Sequence, residues 1–557
     1  MAKKKSKQSA RNDALRRLVV IDRLQVGPAR VEPRRLVSTY RVWKGDESDH
    51  LDLTYSFEED VFDPGEAADH NLANMIAAQV AINYGLFCGT IEFRGHYDGT
   101  DRKFIRSALE NTAREIYVKK LLEPNVFLRG DAEGLSPEKR DSYVAARIEF
   151  NEEDGDHGRH DWTYRETDRN KHAILSSGGK DSLLSYAILN EAGFETHPIF
   201  INESGRHWLT ALNAYRHFES HVPNTARVWV NSDRVFPWML RHMPFIRPDF
   251  ARIRSDMYPI RLWTVAVFLF GALPLMRKRG VGRLVIGDEY DSTQRYKYKG
   301  ITHYNGYYDQ SRYFDGMLSR YFLHKGWAVS QFSMLRQASE MLIQKTLVER
   351  YPDLQRHQVS CHAAHTEGER VRPCGKCEKC RRIVGMLLSM GADPSRCGYS
   401  KDQTDDVLAN LATRGVSLEE EGVDHLYYLL AQKGLVEWSE RERTKLRPHS
   451  EVMKLRFDPV RSPMSGLPVN LRRPVLAILL DHAEGAIERV KKSWKPFEAL
   501  NDPSMHEPFP FEAEVSDGKP RRGKSRSRDS FLWAEMTWPE IEKRLKKVDI
   551  ALLPVGS

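Results

Sequence analysis

The 557-residue sequence lacks a hydrophobic segment long enough to cross a membrane. Its longest apolar run, residues 262–276, is too short for a bilayer and contains a proline, so we expect a buried core helix. The first 30 residues also lack an apolar run, and no secretory signal is predicted. These absences predict a soluble, cytoplasmic protein without membrane contact.

Cysteine is scarce, and its distribution is uneven. The chain has six cysteines, and five of them fall within the 37 residues from Cys361 to Cys397. So few thiols exclude a disulfide-rich scaffold. Their clustering in a protein that we expect in the cytoplasm indicates a metal site.

The net charge of +8 is concentrated in part at the two ends of the chain. Basic stretches without apolar periodicity predict a disordered tail over 1–30 and a basic linker over 515–530. Such segments either keep a protein in solution or contact nucleic acid or an acidic partner. We favour the solubilising role, and nucleic-acid binding is not expected.

The length exceeds one ordinary core and predicts several domains. Residues 31–150 read as an α+β N-terminal domain, a polar linker follows, and residues 401–557 read as mainly helical. Between them, in 171–400, short apolar strands alternate with helices. This rhythm predicts an α/β domain with a doubly wound parallel sheet, whose ligands bind at the carboxyl ends of the strands.

A glycine-rich loop follows the first predicted strand of that domain and opens a helix. Its glycines allow backbone N–H groups to approach an anion, and the helix start adds a positive dipole end. Lys180 could reach a phosphate, and Asp181 could cap the helix or hold Mg²⁺. A simple tight turn is the alternative. The predicted nucleotide-binding residues are Ser176, Ser177, Gly178, Gly179, Lys180, Asp181 and Ser182.

The stretch Ser177–Ser182, SGGKDS, resembles the signature of the PP-loop ATP pyrophosphatases. The resemblance implies the doubly wound fold already expected and cleavage of ATP to AMP and diphosphate. Members of this family usually activate a carboxylate, amide or carbonyl oxygen by adenylation. Lys180 and Asp181 are therefore candidate catalytic residues.

A second motif lies almost two hundred residues further along the chain. Cys361 precedes Cys374 by thirteen positions, and Cys377 and Cys380 follow at intervals of three. Four thiolates at this spacing can hold one tetrahedral Zn²⁺, and an iron–sulfur cluster is the alternative. A closed site of four sulfurs predicts a structural metal that pins a loop near the active site.

The other sulfur and nitrogen ligands near this motif have simpler roles. His362 and His365 lie close enough to replace a cysteine ligand. We expect Cys88 and Cys397 to be ordinary buried thiols.

The phosphate loop and the cysteine cluster together resemble the 7-cyano-7-deazaguanine synthases of queuosine biosynthesis. Two further stretches support the resemblance: Pro259 and Arg261 match one family segment, and 305–312 matches the family's substrate segment in part. Arg261 thereby becomes a third candidate catalytic residue. The predicted substrate-binding residues are Asp288, Asn305, Gly306, Tyr307, Asp309 and Arg312.

Acidic residues follow the strand that ends near Ile286. Asp288, Glu289 and Asp291 lie at the edge where such sheets bind ligands, and they could hold Mg²⁺ or act as a base. Ordinary loop polarity is the alternative for each of them. Arg261 and Arg312 could hold a phosphate or a carboxylate, or could form surface ion pairs.

The resemblance implies an enzyme that uses ATP, Mg²⁺ and Zn²⁺ to adenylate a small-molecule carboxylic acid and to make a nitrile or an amide. Synthase-like proteins of antiviral gene clusters imply a partner protein as acceptor, and a homodimer is a further expectation. The layout is also similar to the ATP-dependent epimerase of UDP-N-acetylmuramoyl-L-alanyl-L-glutamate. A nucleotide-binding regulatory protein without turnover is the remaining alternative.

Overall fold

A computed structural model describes residues 15–151, 165–203, 205–253, 255, 257–361, 363–436 and 446–512. Several predictions lie outside these residues. They are the first part of the basic tail, most of the polar linker, His362, the basic linker over 515–530 and the end of the C-terminal region.

The strands of the described chain form one large sheet and three small ones. They are β1 (Ile21–Glu32), β2 (Arg35–Lys44), β3 (Glu47–Phe57), β4 (Cys88–Arg94), β5 (Arg147–Asn151), β6 (Asp168–Leu175), β7 (Glu195–Asn202), β8 (Ala226–Val230), β9 (Val281–Ile286), β10 (Arg295–Tyr298), β11 (Ile301–Tyr304), β12 (Ser330–Ser333), β13 (His365–Glu367), β14 (Arg370–Arg372), β15 (Leu455–Phe457), β16 (Ala486–Val490) and β17 (Ser493–Pro496).

Helices connect most of the strands of the large sheet. They are α1 (Ala67–Ala81), α2 (Gly99–Ile116), α3 (Lys180–Glu191), α4 (Arg206–His221), α5 (Ser232–Arg241), α6 (Val265–Arg279), α7 (Arg312–His324), α8 (Glu340–Arg350), α9 (Pro352–Gln355), α10 (Glu378–Ser389), α11 (Lys401–Arg414), α12 (Glu420–Gln432) and α13 (Val469–Leu480).

The large sheet has ten strands in the order β12-β9-β6-β7-β8-β3-β2-β1-β4-β5. Pairing is parallel from β12 to β8 and from β1 to β5, and antiparallel from β8 to β1. The chain runs from β6 to β7 and β8 on one side and then returns to β9 on the other. The direction of winding therefore reverses between β6 and β9, and such a switch point is where open α/β sheets bind ligands.

The structure confirms the predicted α/β fold, because successive residues of one strand belong to two different hydrophobic cores. In β6, Ala173 belongs to the core that contains α1, α2 and α6, whereas Ile174 belongs to the core under α3, α4 and α8. Leu284 and Val285 of β9 divide in the same way. Helices thus cover both faces of the parallel part of the sheet, as a doubly wound arrangement requires.

The N-terminal region shares this sheet. Strand β3 pairs with β8 from Tyr55 to Phe57, and the Asn231 side chain extends the junction. Its Oδ1 accepts from the Thr54 N–H at 2.8 Å, and its Nδ2 donates to the Asp52 carbonyl at 2.9 Å. The predicted α+β elements of 31–150 are therefore continuous with the next region.

The predicted tail over 1–30 is wrong in its second half. Strand β1 begins at Ile21, and its side chains alternate between exposed and buried over residues 28–32. The charged residues around the strand make this segment polar on average, and they concealed the alternation of apolar residues that is typical of a strand. Pairing with both β2 and β4 satisfies its backbone.

The C-terminal region is less helical than predicted. It contains α11, α12 and α13, but β15, β16 and β17 form a small sheet that the sequence did not indicate. These strands are short and pack on the core of the preceding region through Leu455 and Phe457.

The predicted buried helix is confirmed as α6, whose apolar residues from Leu269 to Met276 are all buried, whereas its last turn is basic. None of the helices in the described ranges is long and apolar enough to cross a membrane.

A buried ammonium group joins the start of α2 to the end of α7. Lys325 is fully buried, and its Nζ donates to Asp98 at 2.6 Å, to Asp101 at 3.0 Å and to Asn71 at 3.0 Å. Asp98 and Asp101 also cap α2 reciprocally. The Tyr321 hydroxyl donates to Asp101 at 2.8 Å. Burial raises the pKa of Asp101 above its ordinary value.

We predict that Lys325→Met lowers the free energy of unfolding by about 3–5 kcal/mol, because the variant leaves a buried carboxylate without a counter-charge. The loss should shrink as pH falls, since Asp101 has a raised pKa and its protonated form needs no partner. Denaturant unfolding at neutral and mildly acidic pH measures both effects.

Lys103→Met is the matched control, because Lys103 is exposed on α2, the helix whose start Lys325 contacts. It should change stability by less than about 0.5 kcal/mol. Equal losses for the two variants would contradict the role of Lys325.

Candidate functional site

The phosphate loop has the backbone form that the sequence predicted. Gly178 has φ +72°, and a Cβ atom there would lie 2.6 Å from the Thr210 carbonyl oxygen, so only glycine fits. The Ser177 N–H donates to the Ser182 hydroxyl at 3.3 Å, and that hydroxyl donates to the Gly179 carbonyl at 3.2 Å. The loop therefore turns tightly from β6 into the first turn of α3.

Lys180 is buried and lies between carboxylates. Its Nζ donates to both oxygens of Asp181 at 2.9 Å and lies 3.2 Å from Glu340. Burial alone would lower the pKa of Lys180, but these carboxylates more than offset it and raise the pKa. Glu340 in turn forms an ion pair with Arg382 at 2.7 Å. The loop lysine is thus linked through α8 to a residue of α10.

The loop after β9 meets the phosphate loop at the switch point of the sheet. A Cβ atom at Gly287 would lie 2.5 Å from the Cβ of Asp181, so a glycine permits this close approach. Sequence reasoning did not single out Gly287, although its place directly after a buried strand was the available signal. The acidic residues that follow therefore lie close to the phosphate loop.

A cleft of about 660 Å³ opens at this switch point. Of the residues predicted for the site, it is lined by Ser177, Gly179, Lys180, Asp181, Ser182, Asn305, Gly306 and Tyr307. Those that do not line this cleft are Ser176, Gly178, Arg261, Asp288, Asp309 and Arg312.

Two of the predicted acidic residues that do not line the cleft have structural contacts instead. Asp309 accepts from the backbone N–H groups of Thr264, Val265 and Ala266, at 2.8 to 3.3 Å, and so caps the start of α6. Asp288 is buried against Arg336, at 3.3 Å. Their predicted contacts with substrate stay predictions.

The two predicted arginines also lie outside the cleft lining. Arg261 is buried between the rings of Tyr258 and Phe236, and its Nη1 lies 3.8 Å from Glu203. Arg312 donates to the Val460 carbonyl at 3.1 Å. The Arg261 pair with Glu203 is buried, and Arg312 forms no ion pair with the residues that the structure describes, so the surface ion pairs that were the alternative are not seen there.

Arg336 lies behind the cleft lining, where it hydrogen-bonds to the lining residues Ser292 and Gln310, and no sequence motif indicated it. It is buried and donates to Asp315 at 2.6 Å, to the Ser292 hydroxyl at 2.9 Å and to the Gln310 carbonyl at 3.2 Å. One guanidinium thus joins the loop after β9 to the segment that contains Asn305 and Tyr307.

Carboxylates crowd the phosphate end of the cleft. Burial, with the neighbouring charges of Asp291, Glu340 and Asp181, raises the pKa of Glu289 well above its ordinary value. Burial and Glu419 raise the pKa of Asp291 to about 7. These carboxylates give this end of the cleft the oxygen ligands that a divalent cation prefers.

Parts of the chain outside the phosphate-loop region complete the cleft. Lys119, Lys120 and Glu123 come from the N-terminal region, and Ser417 and Leu418 from the C-terminal region. The two lysines lie in a π-helical turn, Tyr117–Leu122, that continues α2. The sequence did not predict them, because two adjacent residues of a helix are not expected to line the same cleft.

The four cysteines of the second motif come together as predicted. The Sγ atoms of Cys361, Cys374, Cys377 and Cys380 all lie within 4.8 Å of one another. Separate pairs are 3.5, 3.7 and 3.9 Å apart. Gly375, with φ +72°, forms the turn between two of them and packs against Gln403 of α11.

The sulfur geometry fits one tetrahedral ion such as zinc. Four thiolates about 2.3 Å from a common centre are about 3.8 Å from one another, close to the observed separations. The backbone N–H groups of Cys374 and Lys376 donate to sulfurs at 3.3 and 3.4 Å. A multi-iron cluster fits less well, because its four cysteines are divided between two or four irons and do not all surround one centre. The predicted alternative ligand His365 is exposed in β13.

The metal site lies at the start of α10. Cys377 is the N-cap of this helix and Cys380 is in its first turn, while Lys379, Arg382 and Ile383 line the cleft. A metal held by the cysteines would therefore set the position of two cations at the cleft. Cys88 and Cys397 are buried outside this group, as predicted.

We predict that Cys380→Ser lowers the zinc content of the purified protein from about one equivalent to near zero, because a tetrahedral site rarely survives the loss of a thiolate. Elemental analysis by mass spectrometry measures this.

Cys397→Ser is the matched control, since Cys397 is equally buried but separate from the four sulfurs. It should retain the metal. Full zinc content in Cys380→Ser would refute the assignment.

Comparison with known proteins gives two distant relatives. The 7-cyano-7-deazaguanine synthase of Chlorobium luteolum is 28% identical over 236 residues, which cover 40% of this chain and 95% of the relative. That of Chlorobium phaeobacteroides is 38% identical over 63 residues, covering 11% of this chain and 28% of the relative. No family model matches the chain. The chain is thus a distant relative of these synthases over two fifths of its length, and the similarity to an epimerase stays a prediction.

Proposed function

We propose that the protein activates a carboxylic acid at the expense of ATP, with release of diphosphate. The observation that carries this proposal is the phosphate loop at the switch point of the sheet, whose buried Lys180 lines a cleft of about 660 Å³. Such a cleft has room for a nucleotide together with a small second substrate.

The loop end of the cleft has the groups that ATP requires. Backbone N–H groups at the start of α3 and the Ser177 hydroxyl are donors for phosphate oxygens, and the Ser182 hydroxyl would exchange its bond to the Gly179 carbonyl for one. Lys379 and Arg382 add positive charge from α10. Lys180 would exchange its contact with Asp181 for a phosphate oxygen when the nucleotide binds.

Magnesium would be held by carboxylates of the cleft together with phosphate oxygens. Asp181, Glu289 and Asp291 line the cleft, and Mg²⁺ prefers such oxygen ligands. Among the described residues, the four cysteines are the only group of three or more metal-binding side chains whose ligand atoms lie close together. The carboxylates of the cleft therefore do not converge in this way on a common point. The cation would therefore depend on the nucleotide for part of its coordination, and it would neutralise phosphate charge.

The reaction proposed here joins the substrate to AMP. A carboxylate oxygen attacks the α-phosphorus, the bond to the bridging oxygen breaks, and diphosphate leaves. An amine or ammonia then attacks the acyl carbon, loses a proton, and displaces AMP to leave an amide, from which loss of water would give a nitrile.

The names of the two relatives make a 7-deazaguanine-type acid the first substrate to test. The acceptor is ammonia or an amine of a partner protein.

We predict that wild-type protein releases diphosphate from ATP in the presence of 7-carboxy-7-deazaguanine and ammonium. Lys180→Met should reduce the rate at least about a hundredfold, because its ammonium stabilises charge on the phosphates during transfer. A coupled diphosphate assay measures the rate, and calorimetry measures ATP binding.

Lys278→Met is the matched control, because Lys278 lies in the last turn of α6 and outside the cleft lining. It should keep the wild-type rate. Absence of diphosphate release with every acid tested, together with equal ATP affinity in Lys180→Met, would overturn the proposal and favour a protein without turnover.

A further inference from the structure

The π-helical turn at the end of α2 brings two consecutive lysines to the cleft. Both Lys119 and Lys120 line it, although neighbouring residues of a helix normally point about 100° apart. Such turns recur at functional sites, because they redirect side chains. Lys120 is only 3% exposed, so its burial needs an explanation.

Lys119 has an evident structural role. Its Nζ donates to the carbonyls of Asn305 and Gly306 at 2.6 and 2.5 Å, and lies 5.0 Å from the ring centre of Tyr307. It therefore positions the segment that the sequence predicted to contact substrate.

Lys120 differs from Lys119 in that its ammonium group has no partner within the part of the chain that the structure describes. Among the described residues, its Nζ makes no hydrogen bond or ion pair, although the side chain is buried and lines the cleft. Burial is the main influence on the pKa of Lys120, followed by repulsion from Lys119. Attraction by Glu123 opposes these, repulsion from Arg261 adds to them, and the net effect lowers the pKa to about 8. A buried cation without a counter-charge is costly unless a ligand supplies one.

The surroundings of Lys120 are separate from those of the phosphate loop. The charges that act on Lys180 are those of Asp181, Glu340, Glu289 and Arg382, and none of these acts strongly on Lys120. The loop end also has its own cations for the phosphates of ATP. Lys120 is therefore available to a second anion.

We propose that Lys120 forms an anion subsite, supplied by the N-terminal region, that binds the carboxylate of the planar acid activated in the cleft. The inference rests on the proposed function. Tyr307 and Met257 line the same cleft and offer aromatic and apolar surface for the ring of such an acid. Lys119 acts as a positioning residue for this subsite, through the backbone of Asn305 and Gly306.

Binding of two ligands without turnover tests the subsite. We expect wild-type protein to bind 7-carboxy-7-deazaguanine at least about tenfold more tightly than 7-deazaguanine, since only the acid can pair with Lys120. In Lys120→Met this preference should disappear, and in Lys120→Arg it should largely return. ATP affinity should be unchanged in all three proteins, and calorimetry measures each constant.

Lys103→Met is the control for loss of a lysine from α2, and it should keep the wild-type preference. Retention of the preference in Lys120→Met, or failure of the wild-type protein to bind the acid, would overturn the subsite. If the wild-type protein turns over the acid and Lys120→Met still prefers the acid over 7-deazaguanine, only the subsite is refuted. If the preference for the acid depends on Lys120 but the wild-type protein releases no diphosphate, only the proposed function is refuted.

Labelling of the wild-type protein gives a test that does not depend on how a variant folds. The rate at which acetic anhydride modifies Lys120, measured by mass spectrometry, should rise with pH around a midpoint near 8, as its pKa requires. The acid should protect Lys120 and move the midpoint upward, because a bound anion stabilises the charged amine. Protection by ATP alone, and not by the acid, would place Lys120 in the phosphate site and contradict the subsite.

Discussion

Three residue pairs join β3 to β8, from Tyr55 with Val230 to Phe57 with Val228. This antiparallel junction extends the parallel part of the sheet into a second group of strands, and Asn231 reinforces it with two side-chain hydrogen bonds. Because the N-terminal strands belong to the same sheet, α2 has a defined place beside α7. The π-helical turn at its end therefore reaches the cleft, which would lack Lys119 and Lys120 without the junction.

The cleft combines two electrostatic environments in one volume. At the phosphate end, carboxylates with raised pKa values lie beside Lys180 and Arg382, an arrangement suited to a nucleotide with a divalent cation. Around Lys120, which is buried, the acting charges are a different set, namely Lys119, Glu123 and Arg261. Because these two environments differ, the two proposed substrates have separate binding groups. The carboxylate of the acid and the α-phosphorus of ATP can then meet between Lys120 and the phosphate loop.

The cysteine group acts on the same cleft from a distance. Its sulfurs hold the start of α10, and Arg382 of that helix contacts Glu340, which contacts Lys180. A metal bound there would thus influence the phosphate loop through two ion pairs. This chain of contacts gives a physical reason for a structural metal in an enzyme whose proposed chemistry does not use it.

The sequence by itself determined the features that depend on local order along the chain. The strand-to-helix turn at Gly178, the parallel alternation of strands and helices, the buried helix α6 and the ligand spacing of the four cysteines follow from periodicity and from the conformations that glycine permits. Only the tertiary structure decided which distant residues meet. It moved Asp309 and Arg312 into structural contacts and brought Lys120 and Ser417 into the cleft, because long-range pairing such as that of β3 with β8 has no local signature.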